Sequence, residues 1–294
     1  MLPGMAAKPR IAIVGAGNLG TALALTLRRA GYKIEAVIAH SRGASLKKAR
    51  GLARQVGALV SVGPPAEMRA GIVWFCVPDD EIARAAGALA KKIRWRGKEA
   101  LHSSGALTSD ELDPLRRRGA AVASVHPLMT FVRGSQPSLA TVPFAIEGDA
   151  RAVRVASHIV RDVGGRAYSI RKKDKAAYHA WGAFASPLFT ALLATSERVA
   201  ASAGVTRKEA RRRMIPILLQ TLANYAAFGA AGAFSGPIVR GDVDTVKRHL
   251  RVLRGMPAVR EVYSTLARAA MRYLPAKKKR SLKRILDPQE KGNC

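Results

Sequence analysis

Lys175 and His179 stand four residues apart in KKDKAAYHAW (172–181). On a helix that spacing puts both side chains on one face, one turn apart. An ammonium can polarise a carbonyl or protonate a developing anion, and an imidazole can hold or pass a proton near neutral pH. The same residues would also make a basic helix entrance followed by a structural histidine, and spacing alone does not choose between these readings. Two further candidates stand at expected strand ends. Ser104, in LHSSGALTSDEL (101–112), can hydrogen-bond a carboxylate or carbonyl, or simply turn the chain with Gly105. His126 precedes Pro127 in SVHPLMTF and reads equally as a functional or a structural histidine. In FSGPIVRGD (234–242), Arg240 could reach an anionic substrate while Asp242 caps the next helix.

The reaction these groups could serve follows from the N-terminal part. GAGNLG, with Gly15, Gly17, Asn18, Leu19 and Gly20, is a G-x-G-x-x-G run that follows an apolar strand pattern and opens a helical one. The first glycine permits a tight turn, the second lets backbone approach a pyrophosphate, and the third lets helix and sheet pack closely. An NAD site would carry a carboxylate about 20 residues further on. This chain reads His40-Ser41-Arg42-Gly43 there. The guanidinium fork of Arg42 suits a 2′-phosphate and Ser41 can add a bond, so the expected cofactor is NADP(H). In VPDDEI (77–82), Val77 and Pro78 are expected walls of the cofactor crevice, with Asp79 or Asp80 capping the next helix. Hydride transfer to C=O or C=N leaves negative charge on the heteroatom, which calls for a proton donor or a positive field. Lys175 fits by type, with His179 or His126 in support.

The elements that must position these residues divide the chain in two. Strand patterns at 11–15, 33–41, 71–78, 99–103, 120–127, 142–148 and 166–171, with helical runs at 18–30, 43–55 and 79–92, predict a Rossmann-type parallel α/β sheet covered on both faces. After residue 172 the strand patterns end. One long helix is expected from an Asp174 cap to about Ala203, kinked at Pro187. A second opens on the capping box Thr206–Glu209 and ends near Gly229, and two more cover 242–253 and 257–274. The expected domains are therefore 1–171, binding NADP, and 172–294, an all-helical C-terminal domain for substrate and dimerisation with a basic tail.

Composition narrows the classes. Two cysteines, Cys76 and Cys294, make neither a disulfide framework nor a metal motif and suit a reducing, cytoplasmic compartment. The uncharged stretches 176–196 and 214–239 are rich in Ala, Gly, Ser and Thr, which favours buried helices of a core or homodimer over membrane spans. A net charge of +30, with the run KKKRSLKR at 277–284, raises nucleic-acid binding. No aromatic interleaving or zinc spacing supports it, and a solvated basic surface is the expected reading; such a surface would attract a polyphosphate cofactor and an acidic substrate.

GAGNLG, HSR, VPDDEI, HSSGAL, SVHPLMTF, KAAYHAWGAFAS and GPIVRGD resemble, in order and spacing over residues 10 to about 274, the bacterial Rossmann-like family whose second part is the domain of unknown function 2520. That family is similar to pyrroline-5-carboxylate reductases, ketopantoate reductases and prephenate dehydrogenases. The resemblance implies an NADP-dependent oxidoreductase with a 6-phosphogluconate-dehydrogenase-like helical domain that dimerises. The resemblance leaves the substrate open; the reading of the residues adds the expectation of a small carbonyl or imine compound, carboxylated. Hydroxyacid- and ketopantoate-type relatives set a helix-borne Lys one turn from an Asn; Lys175 matches the first, but His179 replaces the second. His126-Pro127 is similar to the His-Pro of prephenate dehydrogenases, yet the Gly expected soon after is absent. An NADP-binding regulatory or interaction protein without catalysis is the alternative.

Overall fold

The computed structural model describes residues 8–65 and 67–287, so Cys294 and the last residues of the basic tail lie outside the described part. The first half alternates as the sequence predicts. The elements are β1 (Ile11–Val14), α1 (Asn18–Arg29), β2 (Ile34–Ala39), α2 (Ala44–Val56), β3 (Leu59–Val62), β4 (Ile72–Phe75), α3 (Asp79–Ala90), β5 (Glu99–His102), α4 (Asp113–Arg116), β6 (Ala121–Pro127), β7 (Pro143–Gly148), α5 (Ala150–Asp162) and β8 (Arg166–Ser169). The eight strands form one sheet in the order β3-β2-β1-β4-β5-β6-β7-β8. All neighbours pair in parallel except β6 and β7. IAIV and IVWF, buried throughout, occupy the middle, as uniformly apolar strands covered on both faces must.

Two apolar layers sandwich this sheet. One gathers Leu23, Leu27 and Leu52 from α1 and α2 with Ala156 and Ile159 from α5. The other gathers Ile82, Ala86 and Leu89 from α3 with Trp95 and Leu115. β3 is absent from the sequence-based reading. Its Leu59, Val60 and Val62 are exposed at the sheet edge, so no burial pattern announces it.

The chain continues with α6 (Lys175–Ala185), α7 (Pro187–Ser202), α8 (Arg207–Ala233), α9 (Pro237–Arg240), α10 (Val243–Val252), α11 (Pro257–Tyr273) and α12 (Lys279–Leu286). The expected single kinked helix is two helices. Ser186, at φ −130° and ψ −77°, separates them because the ring of Pro187 disfavours helical backbone in the residue before it. Nor does the Asp174 side chain cap α6; its carboxylate pairs with Arg171. At α8 the Thr206 hydroxyl accepts from the Glu209 amide as a cap should, and Gly229 (φ 66°) interrupts the helix near its expected end. The Asp242 carboxylate accepts from Thr245 N at the head of α10.

Two compact units result, divided between Ser186 and Pro187. The division falls after α6 rather than before it, because side chains of α6 are buried against β6. The second unit has its own core, where Val246 and Leu250 of α10 meet Ala267 and Met271 of α11 and Leu282 and Leu286 of α12.

Candidate active site

The glycine turn lies at the carboxyl end of β1. Gly15 sits at φ +98°, and a Cβ there would fall 2.6 Å from the Cys76 carbonyl oxygen and 2.9 Å from Val77 Cγ1. A Cβ on Gly20 would fall 2.2 Å from the Gly15 oxygen. Both positions are closed to any side chain by the protein itself. Gly17 differs: a Cβ there meets nothing within 4 Å, so its bare backbone faces open space at the head of α1. The first turn of α1 carries no acidic residue and no side-chain cap, so its N–H groups are available to an anion. Asn18 is exposed and donates to the Phe131 carbonyl at 3.2 Å, and Leu19 is half-buried.

At the end of β2, Ser41 Oγ lies 3.1 Å from His40 Nε2, and Arg42 is exposed beside them. A cavity of about 180 Å³ opens there, lined by Ile38, Ala39, His40, Pro64, Ala85 and Leu89. Pro64 and Ala85 went unnoticed in the sequence; the unrecognised strand β3 delivers the first. Thus the turn, the Ser41–Arg42 pair and an apolar slot stand side by side on one sheet edge. That arrangement fits a dinucleotide. Pro78 is exposed at the end of β4, and the Asp79 carboxylate, rather than capping α3, accepts from Ser104 Oγ at 2.8 Å.

The second cluster lies at the ends of β5 and β6. Ser124 and His126, two residues apart on β6, share one face of the sheet. Lys175 and Tyr178, three apart on α6, meet them in the same order. Lys175 Nζ donates to Ser124 Oγ at 2.7 Å and to the Ser104 carbonyl at 3.1 Å, while the Tyr178 hydroxyl lies 2.9 Å from His126 Nδ1. Lys175 is wholly buried. Burial pushes its ammonium down to about 8, against the pull of Glu147 and Asp79. Glu147, opposite Ser124 on β7, is itself buried and accepts from Ser109 N and Oγ.

His179 does not join Lys175. It is exposed, and its ring meets that of His126 edge-on with centroids 6.1 Å apart. A Cβ on Gly105 would fall 2.7 Å from His179 Cδ2 and 2.8 Å from His126 Nε2, so this glycine is required for the two histidines to gather over the loop. Burial, then the charge of Lys175 and the neighbouring His179, push His126 down to about 4. Ser104 is committed to the turn: its Oγ also accepts from Ala106 N and Leu107 N, and its amide donates to His102 Nδ1. His102 is wholly buried and is pushed down to about 4, chiefly by desolvation, so it serves as a neutral brace. Tyr178 is a site residue that sequence reading missed, although it lies one turn from Lys175 and its position was open to the same spacing argument. Arg240 is exposed at the end of α9 in the second unit.

Comparison with known proteins agrees with this layout. Residues 5–127 match the Rossmann-like domain, and residues 142–270 match the Domain of unknown function (DUF2520). The chain is thus a Rossmann-like protein with a DUF2520 C-terminal part. Among solved structures it is similar to a Bacteroides fragilis protein described as an NADP oxidoreductase, with 22% identity, a TM-score of 0.75, and coverage of 89% of this chain and 97% of that one. It is similar to an imine reductase from Pseudomonas sp., with 20% identity, a TM-score of 0.62 and coverage of 95% and 100%. A reductive aminase from Aspergillus terreus, in complex with NADPH and ethyl-5-oxohexanoate, gives 18% identity, a TM-score of 0.64 and coverage of 90% and 94%. No curated protein matches.

Proposed function

We propose that this chain is an NADP(H)-dependent oxidoreductase acting on a small carbonyl or imine compound, carboxylated or otherwise anionic. The observation that carries the reading is the alignment, on the carboxyl edge of one sheet, of an open glycine turn at β1 with a His126–Tyr178–Lys175–His179 cluster at β5 and β6. In open α/β sheets that edge is where ligands bind. The neighbours described as NADP oxidoreductase, imine reductase and reductive aminase support the same chemistry.

Gly17, Asn18, Leu19 and the head of α1 would hold the pyrophosphate, and Ser41 and Arg42 the 2′-phosphate. The slot beside Pro64 would take the adenine, while Val77 and Pro78 wall the crevice. Bound there, the nicotinamide supplies or accepts a hydride. The protein's part is then to handle the proton. His126 Nε2, above Gly105, is the atom proposed to hold it, with His179 beside it at the mouth. Lys175 keeps a positive charge beneath Ser104 and fixes the loop that carries Gly105. Its burial argues for acting through that field and that loop, and Ser104 acts likewise by positioning. Arg240, exposed on α9, remains a candidate for holding an anionic group. A second copy of the chain would cover the apolar face of α8, making a homodimer.

Fluorescence titration with NADPH and NADH, followed by turnover with pyruvate, 1-pyrroline and simple aldehydes, tests the reading. NADPH should bind more tightly, and Arg42→Ala should cost roughly ten- to a hundredfold of that affinity while leaving NADH unchanged. A preference for NADH would remove the role of Arg42. Binding without turnover on any probe would favour a regulator.

A further inference from the structure

We infer that Tyr178 and Tyr168 form a proton wire that connects His126 to solvent and allows a neutral histidine to act as the acid; this rests on the reductase reading above. Strand register provides the geometry. His126 on β6 pairs with Ala145 on β7, and Ala145 pairs with Tyr168 on β8, so the three stand in one row on the same face of the sheet. Two strand spacings, about 10 Å, keep His126 and Tyr168 from touching. Ala145, the smallest of the three, stands between them. Tyr178, arriving from α6, spans the gap: its hydroxyl lies 2.9 Å from His126 Nδ1, its ring stands edge-on to that of Tyr168, and burial, then the neighbouring Tyr168 side chain, push its pKa up. The ring centroids are 5.5 Å apart for His126–Tyr178 and 6.4 Å for Tyr178–Tyr168. Tyr178 is buried, whereas Tyr168 is 38% exposed, so the chain of hydroxyls begins in water and ends on the imidazole.

The wire answers a chemical difficulty. His126, pushed down to about 4, is neutral at ordinary pH. A neutral imidazole that gave up its Nε2 proton alone would become an anion. If Nδ1 gains a proton in the same step, the ring only changes tautomer. In that step the Nε2–H bond breaks and the proton passes to the substrate heteroatom. The Tyr178 hydroxyl proton moves to Nδ1, the Tyr168 proton moves to the Tyr178 oxygen, and a bulk water gives Tyr168 a proton and is left as hydroxide in the solvent. No residue ends charged. After product leaves, water reprotonates Nε2 and the wire runs outward again. No oxidation or reduction occurs along it.

Tyr168→Phe is the discriminating variant, because it removes the outer link without touching His126 or its bond to Tyr178. With 15N-histidine in the free protein, wild type should hold the His126 proton on Nε2, and Tyr178→Phe should abolish that tautomer preference. Tyr168→Phe should keep the preference but slow proton exchange at the ring severalfold. In turnover, both variants should lower kcat, by roughly ten- to a hundredfold, with KM little changed. Ring exchange and kcat unchanged in Tyr168→Phe would overturn the wire. Slowed exchange in a protein inert toward pyruvate, 1-pyrroline and aldehydes would sustain the wire and overturn the reductase reading.

Discussion

Lys175 carries its charge where water does not reach it, with two oxygen partners and Glu147 nearby. Its pKa of about 8 lies below the ordinary 10.5, so between those values the unfolded chain binds more protons than the folded one. The cost of burying the ammonium is therefore present below pH 8 and is relieved as pH rises through that window. Lys175→Met should remove this slope. Urea midpoints at about pH 7 and about pH 10 should show wild type gaining on the order of 2–3 kcal/mol over the variant. An equal gain in both proteins would mean that the lysine is hydrated. Both Lys175 and His179 were legible as candidates from residue type and spacing. Their parting was not, because a four-residue interval defines a shared face but not which edge of that face meets a strand. Here the Lys175–Tyr178 edge meets β6, leaving His179 exposed against His126.

Among the elements, the strand–turn–helix at 11–29 tests its own glycines. Gly15→Ala forces a side chain onto φ +98° and against the Cys76 carbonyl, and should destabilise the fold by more than about 2 kcal/mol in chemical denaturation. Gly17→Ala meets no protein atom, so it should unfold like wild type while losing NADPH affinity roughly ten-fold, about 1.4 kcal/mol. If both variants fold and bind alike, the turn holds no pyrophosphate. This element was readable because each glycine answers to a local steric demand. So were the buried strands IAIV and IVWF, whose apolar runs have one explanation. β3 was not readable, since LVSV hides no face, and neither was the break at Ser186, where a proline permits either a kink or an end. The pairing of His126 with Ala145 and of Ala145 with Tyr168 depends on register between strands distant in sequence. Periodicity within one strand contains nothing of it.

At the scale of the whole molecule, α8 presents Ile217, Leu219, Leu222, Tyr225 and Phe228 to solvent, more apolar surface than a lone helix keeps in water. Among the described residues, Arg207–Arg240 is also the one helical stretch long and apolar enough to cross a membrane by length and composition. Its glycines, Gln220 and Asn224 favour a protein partner. Light scattering should find a dimer, and Leu222→Asp with Phe228→Asp should give a folded monomer; recovery of wild type in a detergent-dependent membrane fraction would instead favour the bilayer. The edge strand β3 gives the excess of basic residues a role apart from any ligand. It leaves a row of backbone donors and acceptors beside Leu59, Val60 and Val62 at the border of the sheet, a template on which a second chain could add itself. A charge of +30 on every copy sets a repulsive barrier to that encounter. The barrier has the range of the Debye length, about 10 Å at 0.1 M salt and about 3 Å at 1 M. Colloidal stability is then a property of the solution as much as of the fold, and concentrated salt is the condition under which this sheet would begin to grow.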